Sequence, residues 1–513
     1  MRYIGALDIG TTNVRFHIFD EEGNTIASST EKIQLLYPKP NYVEIDPDAL
    51  WTTIVNVIKN TLTESKVESL ESIVGIGIST QRGSFTTWNS KDGRHYHNFI
   101  TWKDLRADNL VKEWNSSIIM RILKMGSKIL YTFSRNKRFL GMSVFKFMNT
   151  QMSLRLVWVL QHVPGLQEAM NDGNVLFGGI DSWLLYKFTG KHVTDISSAS
   201  ATGIFDPFIK CWSSSMINLL KLPHDIFPQV VETSGNFGCT PKDLFGIEIP
   251  ILCSTTDQSA SLFGSMCMQP GDLKITMGTG TFLNVNTGNI PHASVAGLYP
   301  LIAWQTGDEL VYMAEGAWNE TGGIIEWAKE ISLIDQVAET ANIAYSVNDS
   351  DGVYFVPAFS GLHAPINDYK AAAGFIGLKP TTRKNHLVRA LLESIVFGML
   401  LLYETLCSET SFIYKRIRVD GGVSKNDFIL QLLADLTGLE VERASSTEIS
   451  VLGIIFLTGL QCGVWKNKEN IFKLRKVETI FMPNNENRER YRPIVAQWKR
   501  ALQRLGKWYT EIK

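Results

Sequence analysis

The sequence predicts an α/β protein built from two related domains that face one another across a cleft. Three observations carry that prediction. Strand-like and helix-like patterns alternate along the chain, the pattern of layered α/β structure. One device, a strand followed by a Gly/Thr turn and a second strand, occurs twice, as DIGTTNVRFHIFD from Asp8 and as TMGTGTFLNVNTG from Thr276. The chain has 513 residues, long enough for two large domains, each carrying one copy of the device.

Taken in order, residues 3–8 and 14–20 are apolar runs joined by Gly10-Thr11-Thr12, which makes a hairpin. Residues 49–64 are amphipathic and read as a helix, and 73–79 read as a buried strand. Residues 249–254 form a further short apolar strand that runs into a helix starting near Asp257 and covering 258–266. Gln269-Pro270-Gly271 supplies turn chemistry, so the domains are expected to span 1–267 and 268–513. Residues 274–278 and 281–286 repeat the opening hairpin around Gly278-Thr279-Gly280. Val419-Asp420-Gly421-Gly422-Val423-Ser424-Lys425-Asn426 reads as a strand, a glycine pair and the start of a helix.

Composition narrows the function classes. Lys plus Arg number 50 against 51 Asp plus Glu, a net charge of −1, so nothing in the overall charge points to nucleic acid. With 44% hydrophobic and 20% charged residues, disordered and fibrous classes are excluded. MRYIGALDIGTT reads as a first strand rather than a leader, and the apolar spans 387–406 and 449–465 read as buried helices, not membrane spans. Arg389, Glu393 and Glu404 interrupt the first; the second is short and holds three glycines. A cytoplasmic location without a transmembrane segment is expected. Six cysteines without a CxxC pair predict reduced, mostly buried thiols. His95 and His97 would share a strand face, but two ligands without a third make a weak metal signal.

One stretch breaks the charge balance. No acid lies between Glu113 and Glu168, whereas Arg121, Lys124, Lys128, Arg135, Lys137, Arg138, Lys146 and Arg155 do, with Phe133, Phe139, Phe145 and Phe147 among them. The ordinary reading is a solvated lobe. The functional one, for residues 114–167, is a docking surface for an acidic protein or an anionic membrane.

The chemistry-bearing residues gather at the turns. Small Gly and Thr side chains at a hairpin tip let backbone N–H groups and hydroxyls approach phosphate oxygens. Thr11 and Thr12 with Arg15 offer that on one side, and Thr279 between its glycines offers it on the other. Asp8 at a strand end can hold the water shell of Mg²⁺. Asp257 at a helix start is an N-cap or, functionally, a base that takes a proton from a hydroxyl attacking a γ-phosphate. Arg82 supplies donors to substrate hydroxyls and Trp102 an apolar wall. The glycines at 421 and 422 permit close approach to a flat ligand such as a purine, with Asn426 able to donate and accept.

The segments ALDIGTTNVR, YPKPNYVEIDPDALW, GISTQR, GGIDSWLLYKFTG, DQSASLFG, MGTGTFLNVNTG, VPAFSGLHAP, HLVRALLESI and RVDGGVSKNDF occur in this order along nearly the whole chain. Together they resemble the FGGY carbohydrate kinases, and most closely a divergent animal branch of the glycerol kinases. Both family signature regions are recognisable, at 155–162, with Arg155 where Lys is usual, and at 373–393. The resemblance implies two actin-like, ribonuclease H-like domains closing around ATP and a polyol, with Mg²⁺ as cofactor. It implies Asp257 as catalytic base and Arg82, Trp102, Asp257, Gln258 and Phe282 as the polyol pocket. It further implies Thr11, Thr12, Arg15, Thr279, Gly322, Gly422 and Asn426 as ATP contacts, and Asp8 as the residue linked to Mg²⁺ through water.

The departures bear on the substrate. Glycerol kinases usually carry Glu after the pocket Arg, and Gly83 stands here; Thr150 is the nearest match to a missing pocket tyrosine, and Glu326 stands where Gln is usual. A carboxylate restored by Gly83→Glu is expected to tighten glycerol binding wherever the backbone admits a side chain. The glycine- and lysine-rich regulatory loop of bacterial glycerol kinases is replaced by residues 236–241, so fructose bisphosphate control is not expected. Three functions compete: ATP-dependent phosphorylation of glycerol to sn-glycerol 3-phosphate, a kinase of another small polyol or sugar, and a weakly catalytic nucleotide-binding protein that acts through partners. Homo-oligomerisation is left open.

Overall fold

The computed structural model describes residues 1–318 and 320–510. Two sheets organise the chain, and they share a plan. The first is built from β1 (Tyr3–Ile9), β2 (Asn13–Phe19), β3 (Thr25–Lys32), β4 (Ile73–Thr80), β5 (Ser234–Cys239) and β6 (Pro250–Thr256), in the spatial order β5-β6-β4-β1-β2-β3. β1, β2 and β3 form an antiparallel meander, while β4 runs parallel to β1 and β6 parallel to β4. The second sheet uses β7 (Leu273–Met277), β8 (Thr281–Gly288), β9 (Tyr299–Thr306), β10 (Glu309–Trp318), β11 (Arg416–Asp420), β12 (Glu440–Ala444) and β13 (Val477–Phe481). Its order is β9-β10-β8-β7-β11-β12-β13, with β7, β8, β10 and β9 mutually antiparallel in that spatial order and β11 and β12 parallel to β7. The duplicated Gly/Thr tips are the turns β1–β2 and β7–β8. The repeat seen in sequence is therefore a repeat of topology.

The parallel strands of the first sheet are apolar on both faces and are buried on both sides, whereas β11 (RIRVD) and β12 (EVERA) of the second alternate apolar and charged residues. The helices of the first half include α1 (Pro47–Glu64), α5 (Ile180–Thr189) and α6 (Asp257–Gly264), with α2 (Ile118–Ser134), α3 (Lys137–Val144) and α4 (Ser153–His162) in a lobe beside the sheet. α1 starts at Asp46, whose carboxylate accepts from the N–H groups of Asp48 and Ala49, and it buries Leu50, Ile54, Val57 and Ile58 against the first sheet. The second half adds α7 (Lys384–Glu409), α8 (Asp427–Thr437), α9 (Ile449–Gln461) and α10 (Asn485–Leu505).

α7 is long and apolar enough to cross a membrane by length and composition. It lies instead inside the second core, where Arg389 Nε donates to Glu393 at 2.8 Å and Tyr491 joins the pair. α9 comes from the second half of the chain but packs on the first sheet. It lies so close to α6 that a Cβ on Gly453 would sit 1.8 Å from the Ala260 carbonyl oxygen. Only glycine permits that approach.

Several expectations change. The helix after β6 starts at Asp257 but ends at Gly264. The thiols are not mostly buried: Cys211, Cys239 and Cys407 are exposed, Cys462 is half-buried, and only Cys253 and Cys267 are buried. Their scatter in sequence carries no information on which surface each reaches. His95 and His97 lie before the short strand Phe99–Ile100, and among the described residues no group of three or more metal-ligating side chains forms. Residues 236–239 belong to edge strand β5.

Candidate active site

The ends of β1, β4 and β6, and the facing strands of the second sheet, bring the site together. The hairpin register places Arg15 opposite Asp8 on β2, and the parallel pairing places Ser79 beside it on β4. Arg15 Nη1 lies 3.3 Å from Asp8 Oδ2, Ser79 Oγ donates to Oδ1 at 3.0 Å, and Ser450 Oγ of α9 donates to Oδ2 at 3.4 Å. Burial pushes the Asp8 carboxyl up to about 6, and the Arg15 guanidinium only partly opposes this. Arg15 also pairs with Glu448 at 3.1 Å.

Asp257 is the first residue of α6, and Thr256 is the cap whose side chain accepts from the Ser259 N–H. The N-cap reading of Asp257 is thereby displaced by one residue, and its half-buried carboxylate accepts only the adjoining Gln258 N–H at 2.8 Å. Arg82 Nε lies 3.6 Å from Asp257 Oδ1. Burial raises the Asp257 carboxyl above its ordinary range, with Arg82 opposing and Glu315 reinforcing the shift.

The second domain closes this side of the site. Arg82 Nη2 donates to both oxygens of Glu315 on β10, at 2.9 and 2.8 Å, and Asn284 of β8 donates to Glu315 at 2.8 Å. Phe282 on β8 lies with its ring centroid 5.8 Å from the Arg82 guanidinium carbon. Arg82, Asp257, Phe282 and Glu315 therefore converge from two sheets on one spot. Trp102 approaches from the side, and its indole N–H donates to Thr11 Oγ1 at 3.0 Å.

Gln258 is buried, and its Oε1 accepts from Lys274 Nζ at 3.0 Å. Lys274 also donates to Ser261 at 3.0 Å, and Ser261 donates to Asp420. This buried chain of polar groups holds α6 against β7 and β11, and burial lowers the Lys274 ammonium. Glu315 was missed in the sequence because it sits in an apolar strand run with no turn or motif beside it, and Lys274 because the hairpin it opens drew attention to its tip. Their inward alternation was the available signal.

The residues expected to contact ATP are also brought to loops. Thr12 and Thr279 are exposed at the two tips. The Gly322 N–H donates to the Gly278 carbonyl at 3.1 Å, and a Cβ on Gly322 would meet that oxygen at 2.6 Å. Gly421, at φ +89°, crosses just as tightly over Met277, whereas Gly422 faces open space. Asn426 caps α8 through the Ile429 N–H and donates to Thr340 at 2.9 Å. Its ordinary strand-to-helix role is thus realised in the fold. Glu326 is exposed.

Arg155 is fully buried in α4 and grips the loops of the pocket. It donates to the carbonyls of Gly83 at 2.6 Å, Thr150 at 3.1 Å, Gln151 at 3.0 Å and Ile100 at 3.2 Å, and also to Thr101. Burial draws its guanidinium down to about 9, so it stays charged at neutral pH. Gly83 has φ +75°, and a Cβ there would lie 2.4 Å from the Thr150 carbonyl oxygen. The expected benefit of Gly83→Glu therefore fails on steric grounds, because the backbone admits no side chain.

Comparison with known proteins sets this geometry in a family. The N-terminal domain of the FGGY family of carbohydrate kinases matches residues 3–264, and the C-terminal domain of that family matches residues 273–462. The chain belongs to the FGGY carbohydrate kinases. It is 47% identical to "Glycerol kinase 5" of Danio rerio over 99% of this chain and 97% of the relative. It is 37% identical to "Glycerol kinase 2" of Thermotoga maritima over 99% of both. The crystal structure of Plasmodium falciparum glycerol kinase with ADP superposes with a TM-score of 0.88, at 27% identity and 98% coverage of each chain. This FGGY kinase is thus an ATP-dependent phosphotransferase of the glycerol kinase type, with the two-domain fold of that family. Its substrates are ATP and a small sugar or polyol.

Proposed function

We propose that the protein phosphorylates glycerol to sn-glycerol 3-phosphate, with Asp257 as the general base. The supporting observation is the placement of Asp257, a carboxylate raised by burial and held 3.6 Å from Arg82 where the two sheets meet. A raised carboxyl is a stronger base toward an alcohol proton, provided it remains ionised at the working pH. Arg82 and Trp102 position the polyol, and Phe282 closes its apolar side. Asp257 takes the proton as the hydroxyl oxygen attacks the γ-phosphorus of ATP and ADP leaves. The exposed Thr12 and Thr279 tips supply hydroxyl and N–H donors to the phosphates, and Arg15 a cation.

Mg²⁺ fits the donor set around Asp8. Among the described residues no cluster offers three or more ligands, so a dedicated cage is absent, and one buried carboxylate with hydroxyl neighbours suits an ion held mainly by water and phosphate. When bound there, Mg²⁺ would neutralise negative charge on the phosphates.

The test is phosphate transfer to glycerol from ATP with Mg²⁺, followed by product NMR, for wild type and Asp257→Asn. The amide keeps the size but cannot take a proton, so a loss of ~10²–10⁴-fold in kcat with ATP affinity retained is expected. A variant with more than half the wild-type kcat would remove Asp257 from that role. A second reading, another small polyol or sugar, is favoured by Gly83 and by exposed Thr150, which leave the pocket without two side chains on that edge. Parallel assays with glyceraldehyde, dihydroxyacetone and pentitols decide between them by kcat/KM.

A further inference from the structure

Helix α2 carries a surface that the kinase reaction does not use. Only Met120 and Ser127 of its 17 residues are buried. Ile118, Ile122, Met125, Ile129 and Phe133 recur at i, i+4, i+7, i+11 and i+15, which aligns them in one stripe along the helix. All five are exposed, Phe133 by 86% and Ile118 by 72%. Ile119, Leu123 and Leu130 widen the stripe on one side and are exposed as well. Arg121, Lys124 and Lys128, at i, i+3 and i+7, run along its other flank.

The cations sort themselves by partner. Arg138 donates to Asp206 at 2.6 Å, and Arg155 is buried among carbonyls, so these two of the eight have structural work. Among the described residues, Arg121, Lys124, Lys128, Arg135, Lys137 and Lys146 pair with no acid. The phenylalanines divide in the same way: Phe147 is buried, Phe139 and Phe145 are partly buried, and Phe133 alone projects outward. Arg135, in a left-handed turn at φ 54°, closes the α2–α3 hairpin, and its guanidinium lies 5.8 Å from the centre of the Tyr131 ring.

We infer that α2 docks flat on an anionic lipid bilayer, its apolar stripe among the acyl chains and its cations at the headgroups. A convex helix with a continuous apolar arc and a cationic flank matches an interfacial helix. A second copy of this chain fits the face poorly. A two-fold contact must be self-complementary, and here it would set cation against cation with no acid on the helix to receive them. An anionic bilayer supplies both what the stripe lacks and what the flank lacks. The inference does not depend on which polyol the kinase uses.

The test uses the full chain and vesicles of phosphatidylcholine with 30% phosphatidylserine. Wild type is expected to co-sediment with them at low salt and much less with phosphatidylcholine alone. Arg121→Ser with Lys128→Ser should weaken vesicle affinity by about 30-fold, from the attraction typical of a cation near an anionic surface. Ile122→Ser with Ile129→Ser should abolish binding even at low salt, and both variants should keep the kinase activity of wild type. Phe133→Trp should show a blue-shifted emission on adding vesicles. Failure of wild type to bind, or an unshifted Phe133→Trp emission, would overturn the inference. So would a wild-type dimer that the Ile122/Ile129 variant dissolves, or capture by an acidic protein in place of lipid.

Discussion

Replacing Arg155 by Met should loosen the pocket from behind, without touching a residue that meets substrate. Among the described residues, the carbonyl oxygens of Gly83 and Thr150 have no donor other than Arg155, at 2.6 and 3.1 Å. The Gln151 carbonyl likewise accepts from Arg155 alone among the described residues, at 3.0 and 3.1 Å, whereas that of Thr101 also accepts from the Asp104 N–H at 3.0 Å. Methionine fills much of the volume and donates nothing. Each of the three carbonyls left without a donor costs ~1–3 kcal/mol, so the variant should lose ~3–9 kcal/mol, with the lower half favoured because Thr150 lies at the surface. At ~2–4 °C per kcal/mol for a domain of this size, Tm should fall by ~6–20 °C in a ligand-free melt.

The kinetic signature should be a rise in KM for the polyol larger than any fall in kcat, because the loops holding Trp102 and Gly83 are shifted while Asp257 keeps its own supports. Arg155→Lys retains the charge and up to three donors, so it should fall between wild type and the Met variant. A Met variant melting within 1–2 °C (~1 kcal/mol or less) of wild type, with unchanged KM, would refute the reasoning.

Three further outcomes follow from the same geometry. Asp8→Asn should abolish activity yet raise stability at pH 7.5: a folded-state carboxyl raised to about 6 makes the ligand-free native state lose stability as pH climbs from 4 to 6, so melts should show a clear gain at pH 7.5 and a smaller one at pH 5. Glu315→Gln removes a charge that raises Asp257 and frees Arg82 to approach it, so the acid limb of the kcat/KM profile should move to lower pH; an upward move would contradict the pairing. Gly83→Ala should destabilise by ~1–3 kcal/mol or more, measured by denaturant unfolding, because φ is +75° and the added Cβ meets the Thr150 carbonyl.

What the sequence disclosed was the local part of the design. The two Gly/Thr tips, the strand ends at Asp8 and Asp257 and the strand-to-helix turn at Asn426 all announce themselves within a dozen residues. The two sheets share the hairpin and the parallel strands beside it, as the duplicated hairpin implied, while the second carries a seventh strand at its edge. Long-range pairing was not legible. Glu315 lies 233 positions from Arg82 and 58 from Asp257, and nothing near it in sequence marks it as a partner for either. Arg155 looked like one more cation in a basic stretch, and only the folded chain separates it and Arg138 from the six that face solvent. Gly83 looked like a lost carboxylate; its backbone angle shows a position that has no room for one.

The glycine contact between α6 and α9 constrains how the cleft can open. Where a side chain separates two helices, rotamer changes let them slide; here Gly453 lies directly on the Ala260 carbonyl and Gly264 on that of Ile449, and backbone has no rotamers to change. α6 carries Asp257 at its head, and α9 carries Ser450 against Asp8. The two helices and the first sheet therefore travel as one body, although α9 is encoded more than 180 residues after α6. Slip between the halves must cross two contacts of α6, the buried polar chain to Lys274 and Asp420 and the Phe263 ring, which meets Trp304 of β9 edge-on at 5.0 Å. Asp257 and Asp8 keep their mutual spacing through any such movement, and Phe282 and Glu315, on the second sheet, are the parts that shift relative to them.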